Sequence, residues 1–156
     1  MKEEKQLKVS AIKNGTVIDH IPASNLFKVI EILALSHCKN QITFGNNLES
    51  KKLGSKAIIK IADRFFADDE VNRIALVAPQ AKLNIIKNYN VIEKRTVEIP
   101  DEIHSIAKCM NPMCVTNHQA IPTKFKVISR QEVTLQCAYC EKITDQERLV
   151  ILSGIR

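Results

Sequence analysis

The chain has 156 residues, a length that suits one domain or two small ones, and 45% of them are hydrophobic, as in an ordinary globular protein. No apolar run reaches the roughly 20 residues of a membrane-spanning helix, which excludes the class of proteins with transmembrane helices. The formal net charge of +6 is unevenly distributed. Residues 1–100 hold 16 Lys/Arg against 11 Asp/Glu, a net of +5, whereas residues 101–156 hold 7 against 6, a net of +1.

The first part of the chain begins with extended segments and a helix. Residues 8–12 alternate polar and apolar side chains, which predicts a half-buried strand. Asn14-Gly15 predicts a tight turn or a bulge, after which residues 16–21 are again extended. Ser24 is a good N-cap for the helix that the apolar spacing of residues 26–35 predicts.

A hairpin and a second helix follow. Residues 41–48 and 56–61 predict two strands joined by a turn over residues 51–55. Three acidic residues, 68–70, are typical of the first turn of a helix, and Pro79 ends that helix.

The next segment completes the pattern of the first domain. Residues 82–87 and 91–94 predict a hairpin or a bent strand around the Asn88-Tyr89-Asn90 turn. The resulting order is strand, helix, strand, strand, helix, strand, which matches the ferredoxin-like βαββαβ arrangement. The predicted fold class is therefore α+β, with a ferredoxin-like N-terminal domain over residues 1–100.

The last third of the chain predicts a small, mostly β, zinc-ribbon-like domain over residues 101–156. Pro100-Asp101 is a plausible linker, and a short helix is expected before Cys109. About fifty residues are too few to bury a self-sufficient core, so a metal is expected to contribute to folding. The predicted ribbon strands are residues 123–128, 133–136 and 148–152.

Four cysteines in this segment form two tight pairs. They read Cys109-x4-Cys114 and, after 22 residues, Cys137-x2-Cys140. This spacing is typical of a tetrahedral four-thiolate zinc site, and the residues within each pair suit tight turns. One structural Zn²⁺ is therefore predicted. Because four cysteines close the coordination shell, the zinc is not expected to be catalytic.

The cysteines and the nearby histidines allow other interpretations. Burial as small apolar side chains explains the isolated Cys38 but not two tight pairs. A disulfide framework fits poorly with five cysteines and a charged N-terminal segment that lacks an apolar stretch, so a reducing cytoplasmic location is expected. His104 and His118 are close enough in sequence to be rival ligands.

The charge balance bears on what the zinc domain contacts. Four thiolates around Zn²⁺ add a charge of about −2, which makes residues 101–156 slightly negative. Nucleic-acid binding usually needs a basic face and stacking aromatics, and the chain has five Phe, two Tyr and no Trp. A protein-contact module is therefore favoured. The alternative is a zinc-ribbon nucleic-acid-binding accessory protein.

No catalytic constellation stands out, and no catalytic residue is predicted. A phosphate-binding glycine loop, a metalloprotease motif and a nucleophile elbow are missing from the sequence. Asp19-His20 is the one adjacent acid–imidazole pair, but neighbouring strand residues are expected to point to opposite faces. Lys13, Lys60 and Lys94 could converge on one sheet surface that suits a polyphosphate, or could form an ordinary solvated basic face.

Specific strings occur along nearly the whole chain. They are Gly-Thr-Val-Ile-Asp-His-Ile-Pro at residues 15–22, Lys60-Ile61, Ala-Pro-Gln-Ala at residues 78–81, Asn84, Asn88-Tyr89, Val91 and the two cysteine pairs. From about residue 7 to about residue 144, the chain resembles the regulatory chain of aspartate carbamoyltransferase.

The resemblance implies a non-catalytic subunit of pyrimidine biosynthesis. Its N-terminal domain would bind CTP as inhibitor, ATP as activator and UTP alongside CTP. Its zinc domain would contact the catalytic chain, which makes carbamoyl aspartate. Regulatory chains would pair as homodimers through their N-terminal domains, and no nucleic-acid or membrane partner is implied.

The resemblance also implies nucleotide-binding residues. They are expected to supply an apolar wall, polar groups for the base and ribose, and cations for the phosphates. The set is Val9, Ala11, Ile12, Val17, Asp19, His20, Lys60, Asn84, Ile86, Tyr89, Val91 and Lys94. Lys56 and Asn47 fit a neighbouring second-nucleotide region. The chain departs from the family pattern at Ser10, where an acidic residue is expected, and in a longer tail over residues 145–156.

Overall fold

A computed structural model describes residues 11–152 of the chain. The first half contains a five-stranded antiparallel sheet in the order β2-β3-β1-β4-β5. The order of elements and of strands confirms the ferredoxin-like arrangement, to which β5 adds a fifth strand through a hairpin. The elements are β1 (Gly15–Pro22), α1 (Leu26–Ile32), β2 (Ile42–Ser50), β3 (Gly54–Ala62), α2 (Asp68–Ile74), β4 (Lys82–Lys87) and β5 (Asn90–Thr96).

The two helices lie on one face of this sheet. Side chains alternate between the two faces of a strand, so Ile18 of β1, Ile59 of β3 and Leu83 of β4 share a face. All three are fully buried, in one apolar cluster with Val29 of α1 and Val71 of α2. The apolar faces of the helices and the strands therefore cover each other. Neither α1 nor α2 lies on the opposite face of the sheet, which is called the helix-free face below.

Two helix predictions in this half differ from the structure, and one strand prediction is tested only at its last two residues. The predicted strand over residues 8–12 lies mostly outside the described residues, and Ala11 and Ile12 have no regular structure. Ser24 is not the N-cap, because the chain enters α1 through a 3-10 turn at Ala23–Asn25. The predicted helix over 26–35 ends early, at Ile32, because Ala34 adopts a left-handed conformation with φ 53°.

The second half contains a four-stranded antiparallel sheet in the order β6-β7-β8-β9. Together with the clustered cysteines, this sheet confirms the predicted zinc-ribbon-like fold. The strands are β6 (Glu102–His104), β7 (Lys124–Ser129), β8 (Thr134–Cys137) and β9 (Ile143–Asp145).

Two predicted elements of the second half are wrong. The expected helix before Cys109 is replaced by β6, because Ile103 pairs with Phe125 and both are buried. The expected strand over residues 148–152 is not formed, because β9 already occupies the place beside β8. Ile151 makes only a single antiparallel bridge, to Ala107.

The two halves are joined by a short connection after β5 and by buried side chains. The backbone N–H of Glu98 donates to Asn72 Oδ1 at 3.2 Å, which ties the connection to α2. A cleft of about 500 Å³ lies beside it, lined partly by Pro100 and Arg130. The division into domains 1–100 and 101–156 stays a prediction. Among residues 11–152, no helix is long and apolar enough to cross a membrane.

Candidate functional site

The four paired cysteines converge on one point in the second half. Their sulfur atoms all lie within 4.8 Å of one another, with Cys109 Sγ 3.6 Å from Cys140 Sγ and Cys114 Sγ 3.7 Å from Cys137 Sγ. A tetrahedral ion with zinc–sulfur bonds of about 2.3 Å places its sulfurs about 3.8 Å apart. The donor set and its spacing therefore fit one four-thiolate metal ion.

Each cysteine pair is held by the backbone around it. Asn117 Nδ2 donates to the carbonyls of Cys109 at 3.0 Å and Asn111 at 2.8 Å, which closes the first loop. In the second loop the backbone N–H of Tyr139 donates to Cys137 Sγ at 3.4 Å. In the first loop the Asn111 backbone N–H acts on Cys109 in the same way. Because N–H groups aimed at sulfur stabilise thiolates, both loops are suited to hold a cation.

Burial makes this cluster a poor place for metal-free thiolates. Desolvation raises the pKa of Cys109 to about 12, against the effect of the Asn111 backbone N–H, and it also raises the pKa of Cys137. For Cys140, burial acts in the same direction, but hydrogen bonds to Asn111 and Lys142 prevail and lower the pKa to about 7. Without a cation, Cys109 and Cys137 therefore favour the protonated thiol, whereas Cys140 loses its proton more easily.

The other candidate ligands lie elsewhere. His118 Nε2 is 2.7 Å from the Pro112 carbonyl, and His104 Nε2 is 3.2 Å from Glu102 Oε1. Cys38 packs partly against the apolar cluster of the first half, with Sγ 3.2 Å from Asn40 Oδ1. Neither histidine belongs to the cluster that could hold a metal among the described residues.

A second candidate site lies on the helix-free face of the first sheet. Directly opposed residues on neighbouring strands form a continuous series here. Val17 of β1 is paired with Lys60 of β3 on one side and with Asn84 of β4 on the other. Asn84 is in turn paired with Lys94 of β5. Directly opposed residues of antiparallel strands point to the same face. Four of the residues implied by the family resemblance thus form one row across four strands.

Three further predicted residues, Asp19, Ile86 and Val91, extend this row along the strands. Asp19 lies two residues beyond Val17, and Ile86 two residues beyond Asn84, so both share its face. Val91 is opposite Ile86. Val17 and Ile86 are buried, whereas Val91 and Lys94 are exposed. The face therefore has an apolar floor with polar and charged groups around it.

Asp19 is the electrostatic centre of this face. Its Oδ1 lies 2.9 Å from Lys56 Nζ and its Oδ2 lies 3.2 Å from the same nitrogen. Burial lowers the pKa of Lys60, while the Asp19 carboxylate acts in the opposite direction. Two lysines thus lie near one carboxylate, and this part of the face presents a net positive charge to a ligand.

His20 sits beside Asp19 in an unusual backbone conformation. It has φ 61°, at a register shift between β1 and β3, and its N–H donates to Asp19 Oδ1 at 2.6 Å. Its Nδ1 lies 3.7 Å from Asp19 Oδ2, beyond hydrogen-bonding distance. The expectation that the two side chains point to opposite faces assumed a regular strand, and it is wrong because the strand is bulged here.

The described residues that remain from the predicted nucleotide site are Ala11, Ile12 and Tyr89, near the β4–β5 turn. The Tyr89 N–H donates to the Lys13 carbonyl at 2.9 Å, which places the segment after Ala11 and Ile12 beside the β4–β5 turn. Tyr89 itself is largely exposed. Val9 and the departure at Ser10 lie outside the described residues. Asn47, in the expected neighbouring region, is exposed at a bulge of β2.

Strand register adds two residues that sequence reasoning missed. Lys82 of β4 is opposite Asp19, and Thr43 of β2 is opposite Lys60, so both belong to the same face. Lys82 is exposed and supplies another cation. The alternation of polar and apolar residues within β4 was the signal available in the sequence. It indicates which residues of β4 share a face, but not which strand pairs with β4.

Comparison with known proteins covers both halves of the chain. A family model described as "Aspartate carbamoyltransferase regulatory chain, allosteric domain" matches residues 7–98. A second, "Aspartate carbamoyltransferase regulatory chain, metal binding domain", matches residues 101–150. The second match contains all four clustered cysteines.

Individual relatives agree with the family models. Proteins named aspartate carbamoyltransferase regulatory chain are 55% identical in Bacteroides thetaiotaomicron and 54% identical in Bacteroides fragilis, each over 97% of this chain and 100% of the relative. The Pyrococcus abyssi protein of the same name is 52% identical over 93% of this chain and 97% of its own length.

Proposed function

The chain belongs to the family of aspartate carbamoyltransferase regulatory chains, and we propose that it binds CTP, ATP and UTP and transmits their effects to the catalytic chain. It is a regulatory, non-catalytic chain with a catalytic-chain partner. CTP inhibits, ATP activates and UTP acts alongside CTP. The regulated reaction, formation of carbamoyl aspartate, belongs to cytoplasmic pyrimidine biosynthesis.

The observation that carries this proposal is the row of residues across the helix-free sheet face. Val17 and Ile86 offer an apolar surface for a base, and the Asn84 side-chain amide offers both a donor and an acceptor. Lys60 and Lys94 lie at opposite ends of the row. Such a combination of apolar surface, amide and cations suits a nucleoside triphosphate.

Phosphate binding on this face involves a competition with Asp19. In the absence of a ligand, the Asp19 carboxylate neutralises part of the charge of Lys56, to which it lies 2.9 Å away. An anionic phosphate is attracted by Lys56, Lys60 and Lys94 and repelled by Asp19. Asp19 therefore favours a ligand whose neutral ribose or base lies near it and whose phosphates lie towards the lysines.

The two halves divide the work. Residues 1–100 bind the nucleotide and pair with a second copy of the chain. Residues 101–156 hold one structural Zn²⁺ through Cys109, Cys114, Cys137 and Cys140 and dock on the catalytic chain. Because the site has four protein ligands, the ion stabilises the fold and carries out no chemistry.

Calorimetric titration of CTP and ATP into the purified chain tests the nucleotide site. Lys60→Gln is expected to weaken binding by at least about tenfold, because a hydrogen bond to a charged group contributes about 1.5–3 kcal/mol. Lys126→Gln is the matched control. It removes the same charge from an exposed position of β7 in the other sheet.

The control variant is expected to bind both nucleotides as the unmodified chain does. Equal losses in the two variants would mean that only net charge matters, and unchanged binding in Lys60→Gln would contradict the proposed site. Failure of the unmodified chain to bind either CTP or ATP would overturn the proposed function.

A further inference from the structure

The segment that follows α2 is held from two sides by side-chain amides. Leu76 and Val77 are fully buried and lie just beyond the end of the helix, where carbonyl groups lack partners in a following turn. Asn25 Nδ2 donates to the Val77 carbonyl at 2.7 Å, and Gln146 Nε2 donates to the Leu76 carbonyl at 3.1 Å. Two consecutive carbonyls are thus bound by two distant parts of the chain.

One side of this segment leads to the nucleotide face. Asn25 follows shortly after the end of β1, the strand that carries Val17 and Asp19. In the other direction along the chain, Val77 is followed within a few residues by β4, which carries Asn84. A displacement of either central strand therefore reaches the Leu76 carbonyl through only a few residues of backbone.

The other side leads to the metal centre. Gln146 directly follows β9, and the tail beyond it is anchored by the buried Leu149. The Lys108 N–H donates to the Val150 carbonyl at 2.9 Å, and the Leu152 N–H donates to the Ile106 carbonyl at 2.8 Å. Lys108 immediately precedes the metal ligand Cys109, so the tail joins Gln146 to the base of the first metal-binding loop.

We propose that Gln146 is a positioning residue that couples the nucleotide-binding sheet to the metal-binding half through its hydrogen bond to Leu76, an inference that rests on the proposed function. An effector shifts a protein between two states only through contacts that differ between them. The Gln146–Leu76 hydrogen bond can act as such a contact, because it joins the two halves and its 3.1 Å length depends on their relative placement. It also assigns a role to the tail over residues 145–156.

The second polar connection is weaker. Arg130 Nε donates to the Ile99 carbonyl at 3.3 Å and its guanidinium pairs with Asp101, but the arginine is exposed. Exposed ion pairs contribute little and are screened by salt. Gln146, in contrast, reaches the carbonyl of a fully buried residue, where a missing partner is costly.

The test compares the complete complex of this chain with its catalytic chain, carrying either native Gln146 or Gln146→Leu. The leucine has a similar size but donates no hydrogen bond. Loss of one hydrogen bond is expected to reduce the effect of CTP on the aspartate concentration at half-maximal rate by about two- to tenfold. Metal content, assembly, activity without nucleotide and CTP affinity of the isolated chain are expected to stay unchanged.

Linkage supplies a readout that a merely structural role does not move. Occupancy of the catalytic sites by carbamoyl phosphate and an unreactive dicarboxylate changes the CTP affinity of the complex by the same factor as CTP changes theirs. In Gln146→Leu, the factor by which occupancy of the catalytic sites changes the CTP affinity is expected to fall by the same amount as the effect of CTP on the aspartate concentration, about two- to tenfold. Gln136→Leu is the matched control, because that amide bonds only within the metal-binding half, to the Glu141 carbonyl at 3.3 Å.

The outcomes separate the two proposals. If the native complex responds to CTP and Gln146→Leu responds equally, the coupling role is overturned and the proposed function stands. If the native complex does not bind CTP, the proposed function fails, and the inference fails with it. If Gln146→Leu does not assemble, Gln146→Asn decides the matter: its amide is one carbon too short for Leu76, and a native response would overturn the role.

Discussion

At the scale of single residues, the cysteine cluster shows why the second half needs a metal. Three of its four thiols are buried, and burial raises the pKa of Cys109 to about 12. Four thiolates this close would repel each other strongly without a cation between them. The cluster is therefore stable either with bound metal or with protons, and only the metal ties both loops together.

Replacing one ligand tests this dependence. Cys114→Ser is expected to lose the metal and to unfold the second sheet, because structural zinc contributes folding free energy directly. Cys38→Ser is the matched control, since Cys38 lies outside the cluster. Metal content by atomic absorption and thermal unfolding by circular dichroism are the measurements. An ordered second sheet in metal-free Cys114→Ser would contradict the structural role.

Acid is expected to release the metal. The metal-bound form requires thiolates, whereas burial raises the pKa of Cys109 to about 12 and also raises that of Cys137, so these thiols hold their protons when no metal is bound. Each proton taken up therefore favours the metal-free form, and metal retention falls as the pH falls. The rate of metal transfer to a coloured chelator should be higher at pH 5 than at pH 8. A rate that does not depend on pH would contradict thiolate ligation.

At the scale of elements, the start of β1 depends on a glycine. Gly15 has φ 139°, and a Cβ at this position would lie 2.1 Å from the Ile61 carbonyl oxygen of the adjacent strand. The backbones of β1 and β3 can approach this closely only without a side chain. The strand that carries Val17 and Asp19 is positioned by this contact.

Gly15→Ala is expected to destabilise the chain by more than Gly54→Ala. Gly54 also has a positive φ, of 78°, but a Cβ there would meet nothing within 4 Å, so its replacement costs only about 1 kcal/mol of backbone strain. Gly15→Ala adds a collision between strands and is expected to cost at least about 3 kcal/mol. Urea unfolding measures both, and equal losses would show that the close approach does not matter.

The sequence predicted elements well where periodicity was local. The β2–β3 and β4–β5 hairpins and the start of α2 followed from alternation, turn residues and acidic first-turn side chains. The end of α1 did not follow, because Ala34 is left-handed despite a residue type that favours helix. The replacement of the third ribbon strand by β9 depends on pairing with β8, which no local pattern specifies.

The two candidate sites were predictable to different degrees, because local patterns can be read from the sequence whereas the pairing of distant strands cannot. The spacing of the cysteines alone predicted a metal cluster. The sheet face required a family resemblance, because its residues come from four strands and their order in the sheet is a tertiary property. Lys82 and Thr43 were missed because only the strand register places them beside Asp19 and Lys60.

At the scale of the whole molecule, function requires that the two halves move as linked parts. One sheet carries the proposed nucleotide face and the other lies beside the metal cluster, with Glu98 and Gln146 bonding across or near the junction. An effector is expected to change catalytic affinity by a coupling free energy of about 1–3 kcal/mol. In the proposed function the second half docks on the catalytic chain, so the coupling is expected to pass through it.

Reconstitution with the catalytic chain tests this account most directly. Carbamoyl aspartate formation is measured at subsaturating aspartate while CTP, ATP and UTP are titrated, with the catalytic chain alone as control. We expect CTP to lower the rate, UTP to strengthen that inhibition and ATP to raise the rate, only when the regulatory chain is present with its metal. A reconstituted complex that contains metal but whose rate does not respond to any of the three nucleotides would contradict the account.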